Sequence, residues 1–269
     1  MYIDLDNKVT RLVVQEYVNK ICCFLSEEEL NFNLHKLIHT FDVADMAQHL
    51  IKITKPALSP TLQKQILNAA ILHDIGRCYE FKNGKKINID HGKVGSDLIK
   101  QHFPRMKVEI QTTLLHNKLP SDSDPKFCRV VLDYVRDADM LGNLKYEIEN
   151  TDLFFKHIFM NKDKNFFKPE IDQEIFDSIR EARPAFTGQI KVHTLLTMWL
   201  WQMCWCYNLR TKAGKDLARK DRIFIRFKDL TFNKIIPLTT QDKKLQKSLV
   251  QMVQKAFPDK ILFEFHSKV

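Results

Sequence analysis

A chain of 269 residues with 44% hydrophobic and 28% charged side chains, 7 glycines and 9 prolines is long enough to bury a core of its own, which excludes a fibrous or disordered protein. The formal charge of +9 is unevenly placed: residues 1–150 hold 20 basic and 20 acidic side chains, and residues 151–269 hold 22 and 13. Six cysteines with no CxxC pair argue against a disulfide framework or structural zinc and for reduced thiols in a cytoplasmic setting, and the opening MYIDLDNKVTRL lacks the basic-then-apolar order of a signal peptide.

The first elements in chain order are helical. Val9, Leu12, Val13, Tyr17 and Ile21 recur at helix spacing, as do Leu37, Phe41, Ala44, Ala47 and Ile51. Breakers follow at 55–60 with two prolines, at 82–86 around Gly84, at 119–125 (LPSDSDP), and at 181–188 with Pro184 and Gly188. The most apolar stretch, 194–209 (TLLTMWLWQMCWCYNL), is shorter than the roughly 20 residues of a membrane span. It holds Gln202 and Asn208, so it is expected to be a core helix and no membrane association is expected. Trp199, Trp201 and Trp205, with Phe186, Met198 and Met203, are then the core of the second half, or a base-stacking platform if exposed. Short alternating runs at 222–227 (RIFIRF) and 260–265 (KILFEF) are the strand candidates and leave room for a small C-terminal β-hairpin. The expected fold is all-α, a helical bundle with a mostly helical C-terminal extension. With no repeat or Gly/Ser linker, a boundary near 150 divides one compact body into 1–150 and a basic 151–269 packed on it.

Chemistry concentrates in the first part. His39 lies in IHTFDVADMA, His73 and Asp74 in AAILHDIGR, His91 in DHGKVGSDLI, His116 in TTLLHNK, and Asp139 in RDADMLGNL. A carboxylate has two oxygens and can serve one metal while bridging to a second or to its water, and an adjacent imidazole supplies nitrogen to the same shell; mixed N/O donors suit divalent ions. Gly76 follows the doublet as a helix breaker, which lets both side chains turn to one pocket. Asp137 and Asp139 are two residues apart, so on one helix they point to nearly opposite sides and only one can join the set. His35 and His39 form an HxxxH pair, but residue 36 is Lys where a zinc peptidase needs glutamate.

Taken in order, His39, the His73-Asp74 doublet and Asp139 resemble the H…HD…D signature of the HD superfamily of metal-dependent phosphohydrolases, in the contexts HTFDVADMA, ILHDIGR and ADML. The resemblance covers about 30–145, with the motifs at 35–145, and selects Asp139 over Asp137. It implies an HD-type helical bundle holding one or two divalent ions (Mn, Mg, Co, Fe, Ni or Zn) and hydrolysing a phosphate ester of a nucleotide or related phosphorylated small molecule. The alternatives are a phosphodiesterase or nuclease, and a non-catalytic nucleotide-binding module. His91 and His116 match the additional histidines of dinuclear members, although this chain has His116-Asn117 where those members commonly carry two histidines. Asp74 is expected both to bind metal and to orient the attacking water, and Arg77, where the family often has lysine, to stabilise charge on the phosphoryl oxygens. Lys93, Asn117 and Lys118 are further substrate-binding candidates. The run 210–228, with eight basic residues against two aspartates, reads equally as an anion funnel for nucleotide or nucleic acid and as a solvated helix face. A homo-oligomer is allowed by the sequence.

Overall fold

The structure, a computed structural model, describes residues 7–118, 124–161, 163–185 and 192–264. Phe186, Gly188, Phe265 and most of the 119–125 turn lie outside them. The chain forms two compact units, the first made of Met1–Gly142 with Thr211–Ala213 and the second of Asn143–Arg210 with Gly214–Val269.

In the first unit, α1 (Lys8–Cys22) starts on Asn7, whose side chain accepts the amide of Val9, and buries Val9, Leu12, Val13 and Tyr17. The long α2 (Glu27–Ile53) is capped by Ser26 and opens on three glutamates, charges that suit the positive end of a helix. Ser59 caps α3 (Pro60–Leu72), with Pro60 in the first turn, where a missing N–H costs nothing. A two-strand hairpin, β1 (Phe81–Lys82) with β2 (Lys85–Lys86), turns through Asn83 and Gly84, both at positive φ, as the expected break around Gly84 requires. Three helices complete the unit: α4 (His91–His102), α5 (Lys107–Leu115) and the part of α6 (Arg129–Glu149) up to Gly142. Its core includes Val43, Ala47, Leu50, Ile66, Leu72, Ile99, Leu132, Val135 and Leu141, all essentially without exposure.

The second unit continues from α6 through α7 (Thr151–Asn161), α8 (Gln173–Glu181), α9 (Leu195–Met203), α10 (Lys212–Lys220), α11 (Ile223–Leu230), α12 (Ile236–Thr239), α13 (Lys243–Ala256) and α14 (Asp259–Glu264). The apolar stretch at 194–209 is α9 followed by a short 3-10 turn. Trp199 is completely buried there and stacks on Phe227, with ring centroids 4.2 Å apart. Trp201 and Trp205 meet edge to face at 5.1 Å. No helix among the described residues is long and apolar enough to cross a membrane.

The strand readings of 222–227 and 260–265 are corrected: residues 223–227 lie in α11 and 260–264 in α14, and the hairpin among the described residues is at 81–86. Ile223, Phe224, Ile225 and Phe227 are all buried, while Arg222, Arg226 and Asp229 are exposed at i, i+4 and i+7, a helical period that the six residues 222–227 are too short to display. Their burial also removes Phe224 and Phe227 as stacking surfaces. Within the basic run, Lys228 is buried against Asp259 and the Phe257 carbonyl, and Arg219 pairs with Asp216 at 3.0 Å.

One buried acid in this unit has a measurable signature. Glu147 of α6 accepts a 2.7 Å hydrogen bond from Gln202 of α9, and burial pushes its carboxyl up to about 8. Unfolded glutamate titrates near 4.3. Between about pH 4.3 and 8 the folded chain holds a proton that the unfolded chain has lost, so this group's contribution to stability falls as pH rises through that window. Glu147→Gln should abolish that dependence: thermal melts should show the variant gaining a few degrees on the wild type between pH 5 and pH 8.5.

Candidate metal centre

The centre of the first unit is the turn that follows α3. His73 continues the helical conformation and Asp74 leaves it, at φ −103° and ψ 11°, into a 3-10 turn at Ile75–Tyr79. Both side chains are buried, and the Tyr17 hydroxyl of α1 donates to the Asp74 carbonyl at 2.8 Å, fixing the backbone where it turns. Gly76 does not act as a left-handed helix terminator. Its role is close approach: a Cβ here would lie 2.0 Å from the His91 carbonyl oxygen and 2.7 Å from the Gly95 amide nitrogen. Only glycine lets α4 press onto the turn, and that contact brings His91 to Asp74.

The two oxygens of Asp74 face different histidine pairs. Around Oδ2 stand His39 Nε2 of α2 at 3.8 Å and His73 Nε2 at 3.7 Å. Around Oδ1 stand His91 Nε2, at the start of α4, at 3.5 Å and His116 Nε2, capping α5, at 3.3 Å. Asp139 of α6 joins the first group, with Oδ1 3.1 Å from His39 Nε2 and 3.9 Å from His73 Nε2. The neighbouring Asp137 is fully buried and points elsewhere, accepting the backbone amide and hydroxyl of Thr211 at 2.8 and 2.7 Å. The opposite directions expected for this pair are realised.

Hydrogen bonds fix which ring nitrogen faces inward. His73 Nδ1 lies 2.7 Å from the Ala70 carbonyl and His116 Nδ1 2.8 Å from that of Thr113. A carbonyl only accepts, so each Nδ1 carries the proton and each Nε2 presents its lone pair to the centre. Arg136, buried on α6, donates to the carbonyls of Leu115, His116 and Lys118 at 2.8, 3.3 and 2.8 Å and so holds the His116 turn closed.

Three polar groups flank the set, of which the sequence singled out Arg77 alone. Lys36, one helical turn before His39, places Nζ 3.2 Å from Asp74 Oδ2. Arg77, three residues past Asp74, donates from Nε to the same oxygen at 2.9 Å and from Nη1 to Glu80 at 2.8 Å. Glu80 Oε1 also lies 3.4 Å from His91 Nδ1, so one buried carboxylate steadies both Arg77 and His91. Of the remaining candidates, Asn117 sits 3.2 Å from His91 Nε2, whereas Lys93 is paired with Asp97 and Lys118 with Asp90 on the surface. Spacing on α2 and in the 3-10 turn could have flagged Lys36 and Glu80, since i and i+3 residues share a face, but their types alone carry no metal signal.

Burial would by itself raise the carboxyl of Asp74, but the charges of Arg77 and Lys36 hold it well below the ordinary range. For Asp139, burial is likewise outweighed by the hydrogen bond from His39 and the proximity of His73. Burial pushes His73 down to about 4, and burial with the charge of Arg77 pushes His91 down to about 3, so both rings are neutral at pH 7. Ionised carboxylates facing neutral imidazole lone pairs are the protonation states a divalent ion requires.

The residues fit such an ion on two counts. His73 Nε2 is buried with no hydrogen-bond partner among the described residues, an orphaned acceptor at the middle of the cluster. The donor atoms of His39, His73 and Asp74, and those of Asp74, His91 and His116, also lie within 4.8 Å of one another in each triad. Donors held about 2.0–2.2 Å from a shared ion stand about 3–3.5 Å apart, near the separations seen here.

Residues 37–148 match the family model of the HD domain. Over that stretch the chain is similar to HD domains. Searches of the curated proteins and of the solved structures find no significant match. HD domains as a family are metal-dependent phosphohydrolases, and the mostly helical first unit with its His/Asp cluster agrees with that similarity.

Arg136→Ala would remove the donor to the His116 and Lys118 carbonyls and one of the two donors to that of Leu115. Hydrogen bonds from a charged group contribute about 1.5–3 kcal/mol each to order of magnitude. Denaturant unfolding of Arg136→Ala should show a loss of at least about 2 kcal/mol, and Arg136→Lys should recover only part of it, because one ammonium cannot span three carbonyls.

Proposed function

We propose that this chain hydrolyses a phosphate ester, with a water activated at a divalent metal centre held by His39, His73, Asp74 and Asp139 and extended by His91 and His116. The observation that carries the reading is the division of labour on Asp74: Oδ2 serves His39 and His73, and Oδ1 serves His91 and His116. A carboxylate that only balanced a helix end would need neither a second pair of imidazoles nor burial.

When bound, a divalent ion lowers the pKa of its water toward 7 and polarises a phosphoryl oxygen. The chain's own groups do the rest. Asp74 and Asp139 accept hydrogen bonds and orient the water; His73 and His116, fixed through Nδ1, keep their lone pairs inward. Arg77 and Lys36 contribute positive charge beside the reacting oxygens, and Arg77 can offer a fork that suits phosphate. Asp74, Asp139 and Glu80 against Lys36 and Arg77 leave the site formally negative by one charge. A single divalent ion inverts that sign and makes the pocket attractive to a phosphate anion.

The substrate is a nucleotide or a related phosphorylated small molecule, with a phosphodiester as the alternative. Two supports that a polymer-binding reading would use are weakened in the 210–228 run, where both phenylalanines are buried and Lys228 is paired with Asp259.

Protein purified without chelator should contain divalent metal by elemental analysis and release phosphate from a panel of nucleoside monophosphates. Asp74→Ala should lose metal and at least about a thousandfold in rate, given the several kcal/mol a metal supplies. Unchanged metal and turnover in that variant would remove this reading. Arg77→Ala should keep its metal and lose about 10²–10³ in kcat, the scale of deleting one preorganised donor to developing charge.

A further inference from the structure

Away from the metal centre, three helices of the first unit begin around one cavity of about 440 Å³. Lys8 of α1, Thr61 and Lys64 of α3, and Met106, which precedes α5, line it, and the first three are exposed at its mouth. Its floor includes Asn68 and Glu109, 7% and 4% exposed. The cavity lies at the opposite end of these helices from the donor set: α1 carries Tyr17 to the Asp74 carbonyl, α3 ends at His73 and α5 at His116. From Thr61 to His73 is about 18 Å along the axis of α3, at about 1.5 Å per residue. None of the lining residues belongs to the donor set.

Two features distinguish this cavity from a packing defect. The first is its floor. Burial raises the carboxyl of Glu109 above the ordinary glutamate range, against hydrogen bonds from its own backbone N–H and the Asn68 amide and the charge of Lys64. A carboxylate offers about four lone-pair positions, and those two donors fill about half of them. A buried acceptor with spare capacity beside open space is suited to a donor that arrives with a ligand. The second feature is the mouth. Lys8 and Lys64 bring two positive charges, and the first turns of α1, α3 and α5 add the positive ends of three helices. Met106 gives α5 no side-chain cap. We propose that this cavity is a second binding site, for a small molecule with N–H donors at one end and an acid group at the other. The donors reach down to Glu109, and the acid stays at the mouth between Lys8 and Lys64. The volume falls within the roughly 300–1,000 Å³ of small-molecule sites. A nucleoside monophosphate and a basic amino acid both carry this chemistry. Either is held there without being hydrolysed, since the water-activating groups are elsewhere.

The test is a calorimetric titration of the full-length chain, with chelator present so that no turnover intrudes. The probes are AMP and arginine; adenosine and agmatine, which lack the acid group, are their controls. AMP or arginine should bind, and its control should bind about tenfold more weakly, having no charge for the lysines and helix ends. Binding of AMP assigns the acid as phosphate, and binding of arginine assigns it as carboxylate. Glu109→Gln keeps the size of the side chain and should lose about tenfold in affinity. Lys8→Ala and Lys64→Ala together should lose about fivefold. Arg77→Ala, at the metal centre, should bind as the wild type does. Failure of both probes at millimolar concentration, a control that binds as tightly as its probe, or unchanged binding in Glu109→Gln would each overturn the site. Affinity that falls in Arg77→Ala and not in Glu109→Gln would put the ligand at the metal centre, overturning the second site and leaving the function proposed above standing.

Discussion

An ionised carboxylate taken out of water costs several kcal/mol unless charge and hydrogen bonds surround it, and Asp74 is such a group. Its exposure is 2%, yet Lys36 and Arg77 both reach its Oδ2 and four imidazoles ring the pair of oxygens. Each surrounding group needs a partner of its own in turn. Glu80 steadies Arg77 and His91, Ala70 and Thr113 accept from His73 and His116, and Arg136 closes the turn that carries His116. The helices of the first unit can be seen as the means of delivering these groups to one carboxylate from different directions.

That arrangement explains what could be read from the sequence and what could not. His39, the doublet, His91, His116 and Asp139 were visible because histidine and aspartate at the ends of, or within, apolar helical runs are unusual, and the structure brings those six residues together. The separation of Asp139 from Asp137 was also legible, since it depends only on helix geometry. Lys36, Glu80, Arg136 and Tyr17 were not. A lysine on a long helix or an arginine within one looks like surface until the tertiary fold turns it inward, and its residue type does not encode that direction.

The errors have the same cause. Isoleucine and phenylalanine in RIFIRF favour a strand locally, but in the second unit all four apolar residues of that run find burial on a helix, and packing overrides propensity. Gly76 was legible as special for the wrong reason: its place after a helix suggested a terminator, whereas the structure uses its missing side chain to seat α4.

The donors that converge on Asp74 lie as far apart in sequence as His39 and Asp139, and they come from α2, the turn after α3, α4, α5 and α6. Bringing such distant donors together closes long loops at an entropic cost, so the centre has no counterpart in the unfolded chain. An ion that binds there binds the native state alone. Under the function proposed above, a divalent ion would add its binding free energy to the stability of the folded unit, so that unit would be more stable with the ion than without it.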